Sequence, residues 1–101
     1  MKLCAEMKKL RDYLDTAGIP WGDYSQGGDY PIERTRFYID GCGWSVIHGF
    51  GTYGGYSTFE PDKGLLELMT GDINGGEPIG WLTAEEVIRW IKLKKIREVG
   101  E

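Results

Sequence analysis

One histidine and two cysteines are all that 101 residues provide of imidazole and thiol side chains. Each scarcity excludes a class of function. Cys4 and Cys42 are too few for the disulfide framework of a small secreted domain. Together with His48 they do not make up a structural zinc site of the Cys/His kind, so no metal and no cofactor is expected. No apolar run approaches the roughly 18 residues of a membrane span. The opening MKLCAEMKKLRDYL is amphipathic and charged, unlike a secretory leader. Basic residues are also short: 12 Lys and Arg against 16 Asp and Glu leave a net charge of −4. Phosphate-backbone binders carry a basic face, so nucleic acid is not expected as a partner. The expectation is a cytoplasmic protein with reduced thiols.

Glycine and aromatics are plentiful. Sixteen glycines and 13% aromatic residues imply tight turns, close backbone approaches and a small aromatic core. Residues 2–17 read as a helix with Leu3, Cys4, Met7, Leu10, Leu14 and Ala17 on its apolar stripe and Arg11 among the polar residues opposite. Gly18, Ile19 and Pro20 supply its stop. Residues 20–33 read as a loop, either a lid on the core or an aromatic binding loop built on Trp21, Tyr24 and Tyr30. Asp40-Gly41 is a two-residue hairpin turn. It sets Ile39 opposite Cys42, Phe37 opposite Trp44 and Thr35 opposite Val46 on an apolar face. Arg34, Arg36, Tyr38, Ser45 and Ile47 fall on the other, and His48 has the parity of the core face. After the glycine stretch 49–56, strands are expected at about 57–60 and 65–70, joined by the turn Pro61-Asp62-Lys63-Gly64. Residues 71–82 read as a second glycine-rich loop. Thr83 and Glu86 form a capping box for a last helix, with Leu82 and Val87 as its staple. Val87, Ile88, Trp90 and Ile91 are expected on its buried stripe.

The expected fold is therefore a single α+β domain over residues 1–101. It is an α-β-β-β-β-α chain in which an N-terminal and a C-terminal helix cover one face of an antiparallel sheet of about four strands.

Three patterns bear on function. Gly49-Phe50-Gly51-Thr52-Tyr53-Gly54 spells G-x-G-x-x-G, but no helix can open at Gly54-Gly55-Tyr56, so a dinucleotide fold is rejected. The stretch is either a long hairpin connection or a loop whose amides meet a ligand. Ser45 and His48 invite a hydrolase reading, yet the hairpin register puts them on opposite faces. No catalytic residue is assigned, and the chain is expected not to be an enzyme. The polar hairpin face is either solvated or a site where Arg34 and Arg36 meet an anion and Tyr38 stacks on a planar group. Arg34, Arg36, Tyr38, His48, Gly51, Thr52, Tyr53, Gly54 and Tyr56 are the candidate ligand-binding residues.

Over Trp44–Ile47, Gly49, Gly51, Tyr53–Tyr56, Gly64–Met69 and Gly75–Val87, the chain resembles a set of small phage and prophage proteins of Gram-positive gut bacteria. Their marks are a WSVI-G-GSYGGY-like stretch, GLLELM and GGEPIGWLTAEEV. The resemblance carries no established activity. It implies a phage accessory protein acting in the host cytoplasm, and such proteins often counter host immunity. The resulting expectation is a non-enzymatic protein that sequesters a nucleotide-like signal. The alternative is a protein–protein inhibitor of a host defence effector such as a CRISPR nuclease. Homo-oligomerisation is also expected, because Ile47 and Leu65 leave the sheet's outer side partly apolar.

Overall fold

The computed structural model describes residues 3–56 and 61–99. In chain order these form helix α1 (Ala5–Ala17), strands β1 (Trp21–Asp23), β2 (Ile32–Ile39), β3 (Cys42–Gly49) and β4 (Leu66–Thr70), a 3-10 turn at Asn74–Gly76, β5 (Ile79–Leu82) and helix α2 (Ala84–Val99). The sheet is antiparallel and runs β1-β2-β3-β4-β5, so every strand lies beside its sequence neighbour.

The β2–β3 hairpin has the register expected from its turn: Ile39 faces Cys42, Phe37 faces Trp44 and Thr35 faces Val46. Asp40 and Gly41 both take positive φ, at 50° and 78°, the requirement of a type I′ turn. Phe37, Ile39, Trp44, Val46, Leu66 and Leu68 point to one side. There they join Met7, Leu10 and Leu14 of α1 and Val87 and Ile91 of α2 in a single core. Both helices thus cover one sheet face, and among the described residues no helix covers the other, bare face.

The sheet has five strands rather than four. Two expected loops each contain an edge strand: β1 and a Gln26–Ile32 bridge lie within 20–33, and β5 lies within 71–82. At three and four residues, these edges are too short for a period-2 pattern to emerge between glycines and prolines. The strand expected at 57–60 lies outside the described residues.

Helix ends follow from local chemistry. Gly18 closes α1 with φ 73°, and Ile19 N–H returns to the Leu14 carbonyl at 2.9 Å. Thr83 and Glu86 make both bonds of the capping box, at 3.2 and 3.1 Å. The Ala84 amide also donates to Glu6 Oε1 at 2.7 Å, so an acid on α1 caps α2. That bond holds the Glu6 carboxyl below its ordinary value.

Two assignments are corrected. Arg11 is buried rather than solvated. Its guanidinium donates to Thr35 Oγ1 at 2.7 Å and to Asp23, Ser25 and the Arg34 carbonyl, while stacking on Trp21. Trp90 is exposed, because the α2 stripe turns through Val87 and Ile91. Cys4 packs against the core as expected and is in addition the N-cap of α1, where its Sγ accepts the Met7 amide at 3.4 Å. No helix among the described residues is long and apolar enough to cross a membrane.

Candidate functional site

The bare sheet face carries an unusual load. Alternation along β2 puts Arg34, Arg36 and Tyr38 there, and Ser45 and Met69 follow on β3 and β4. Tyr24 covers Gly22 from the same side, and the Arg36 guanidinium lies 4.8 Å from its ring centre. Tyr38 is 72% exposed. Neither Arg34 nor Arg36 has an ion-pair partner among the described residues. A shallow groove of about 240 Å³ runs between Arg36, Tyr38, Ser45 and Met69.

The glycine loop folds back across the other end of this face. Tyr53 N–H donates to Glu67 Oε1 at 2.9 Å, and the Tyr53 carbonyl accepts the Trp81 amide at 3.1 Å. These two bonds seat the Tyr53 ring 5.2 Å from Trp81, itself at φ 55° and half exposed. The glycines are there for close approach. A Cβ on Gly55 would stand 2.1 Å from the Gly49 carbonyl, and one on Gly80 would stand 2.0 Å from Tyr53 Cβ. The amides of Gly49, Gly51, Thr52, Tyr53 and Gly55 are all spent on partners within the protein. Those five amides are therefore not free to meet a ligand.

A second concavity of about 320 Å³ opens at the end of the hairpin where β3 enters the loop. Its wall is aromatic: Tyr30 and Tyr56 flank Phe50 at 4.7 and 5.5 Å. Its floor is acidic and holds the histidine, with Glu33, His48 and Asp62 lining it. His48 is 5% exposed and Glu33 is 6% exposed. The His48 ring lies between two oxygens, with Nδ1 2.7 Å from the Leu65 carbonyl and Nε2 3.2 Å from Asp62 Oδ2. Asp62 is positioned by its own turn, because its Oδ1 accepts the Gly64 amide at 2.7 Å.

The candidate residues therefore do not form one site. Arg34, Arg36 and Tyr38 lie on the bare face, and Tyr53 stands at its far end beside Trp81. His48 is on the opposite, helix-covered side, and only Tyr56 joins it in the cleft. Gly51, Thr52 and Gly54 shape the loop; Gly54, at φ 104°, is pressed against Leu65. Ser45 and His48 point to opposite faces, so they make no catalytic dyad. Sequence reasoning missed Glu33, Asp62, Phe50 and Trp81. The hairpin register does give Glu33 the parity of His48, the one signal that could have found it.

Comparison of the chain with protein-family models, with curated proteins and with solved structures finds no match.

Proposed function

We propose that the chain is a non-enzymatic binding protein that docks on a partner protein through the bare face of its sheet. The observation that carries this reading is the composition of that face: Tyr24, Arg36, Tyr38 and Met69 at one end, Tyr53 and Trp81 at the other. Tyr, Trp, Arg and Met are the residues enriched in interface cores, where a few desolvated anchors carry most of the affinity. The face is too open to enclose a small molecule, which favours a protein. The resemblance to phage and prophage proteins supplies the partner class, a host defence effector in the host cytoplasm whose activity the docked chain would block.

The second reading, capture of a nucleotide-like signal, draws on the cleft beside His48. Tyr30, Phe50 and Tyr56, packed at tilted angles, offer an apolar wall for a base, and carboxylates accept hydrogen bonds from exocyclic amines. Its acidic floor repels phosphate, so any phosphates would have to point outward.

Two experiments separate the readings. Co-purification with a panel of defence effectors is expected to recover one of them in stoichiometric amount. Titration calorimetry with cyclic and ADP-ribose-type nucleotides is expected to give no heat. Nucleotide heat with no effector recovered would reverse the order of the two.

A further inference from the structure

The geometry points to a binding site for one divalent transition-metal ion of the zinc class, held by Cys4, Glu33 and His48 on the floor of the aromatic cleft, with Asp62 closing on it from beside His48. These four come from separate parts of the chain: the N-cap of α1, β2, the end of β3 and the turn before β4. The Cys4 thiol, a Glu33 carboxylate oxygen and a His48 ring nitrogen all lie within 4.8 Å of one another. Zinc takes thiolate, imidazole and carboxylate ligands together, whereas calcium and magnesium select oxygen alone.

Each donor is already oriented by a second partner, as metal ligands usually are. The Cys4 amide donates to Glu33 Oε1 at 2.7 Å and fixes that carboxylate beside the thiol. The Leu65 carbonyl can only accept, so the 2.7 Å contact puts the proton of a neutral His48 on Nδ1. Nε2 then turns a lone pair toward the Asp62 carboxylate 3.2 Å away. Two acceptors facing at that distance need a cation between them, either a second proton or a metal. Ligands about 2.0–2.1 Å from a tetrahedral zinc stand about 3.3 Å apart, close to the spacing this pair already has.

The charge balance leads the same way. Glu33 is a buried carboxylate, and no Lys or Arg pairs with it or with Asp62 among the described residues. Burying such charge without a cation is costly. Burial foremost, and then the charges of Glu33 and Asp62, push the Cys4 thiol above its ordinary value. The ligand is the thiolate, so a proton bound to the sulfur leaves to solvent when the thiolate–metal bond forms. Residues 4, 33, 48 and 62 follow no motif spacing, and a count of cysteines and histidines leaves out both carboxylates. For these reasons the sequence alone leads to an expectation of no metal.

The test is cobalt titration of the full, chelator-treated chain, followed by absorption. The expected result is a thiolate-to-cobalt charge-transfer band with ligand-field bands, saturating at one ion per chain and abolished by zinc. Cys4→Ser keeps a good N-cap and is expected to lose the charge-transfer band while remaining folded by circular dichroism. Glu33→Gln and His48→Gln are each expected to weaken cobalt binding by at least about tenfold. Cys42→Ser is expected to leave the spectrum unchanged. Absence of the charge-transfer band in folded wild-type protein overturns the proposal, as does a band that survives Cys4→Ser or disappears with Cys42→Ser.

Discussion

Arg11 is a cation in the interior, and its surroundings explain why it can be there. Thr35 accepts from Nε and passes its own proton to Met7 Sδ, Asp23 and Ser25 accept from Nη2, and Trp21 covers the guanidinium plane. One side chain thereby ties α1 to β1 and β2. Arg11→Met keeps the apolar stem but removes these donors. It is expected to cost about 2–3 kcal/mol in urea unfolding, the range for hydrogen bonds to a charged group. Asp23 responds to pH. The hydroxyl and amide of Ser25, and after them Arg11, hold its carboxyl at about 2 against an ordinary 3.8. A carboxylate depressed in the folded state stabilises above its unfolded value, and that contribution is lost as pH falls through the folded one. The increment is small, because the Asp23 side chain is half exposed. The wild-type advantage in urea midpoint over Asp23→Asn should shrink between about pH 5 and about pH 2. The sequence did contain a sign of Arg11's burial: Met7, Leu10, Arg11 and Leu14 follow the i, i+3, i+4, i+7 spacing of one helix face. A formal charge at that position obscured it.

At the scale of elements, legibility tracks how local the determining chemistry is. The hairpin register, the Gly18 stop and the Thr83–Glu86 box were all readable, because each is set by residues a few positions apart. The edge strands were not. β1 exists because β2 offers it a partner, and β5 because Tyr53 settles over Gly80 and its carbonyl takes the Trp81 amide. The glycine loop is in the same way a product of packing. Gly55→Ala would set a methyl against the Gly49 carbonyl and Thr52 Oγ1, and a cost on the order of 2 kcal/mol is expected. Gly27→Ala meets open space and should leave the melting temperature nearly unchanged. Equal melting temperatures for the two variants would contradict the tight-packing account of the loop. The cluster of Cys4, Glu33 and His48 at the cleft floor was the least legible feature, since only the assembled fold brings Cys4 beside His48.

For the molecule as a whole, the asymmetry of the two sheet faces governs the functional reading. One face is closed by two helices. The other exposes aromatic rings and Arg36 to solvent, with no helix over them among the described residues. Exposed patches of this kind mark surfaces suited to a partner. A second copy is one such partner. Light scattering on the eluted chain should then give a dimer mass that Tyr38→Glu returns to monomer; a monomer in both cases leaves the face free for a different protein. The most direct measurement is affinity for any defence effector that co-purifies with the chain, compared among three folded variants. Tyr38→Ala and Trp81→Ala, on the bare face, should each weaken binding by about tenfold or more, whereas Phe50→Ala, in the cleft, should leave it within about twofold. Loss of affinity in Phe50→Ala with both face variants unaffected would contradict docking through the sheet.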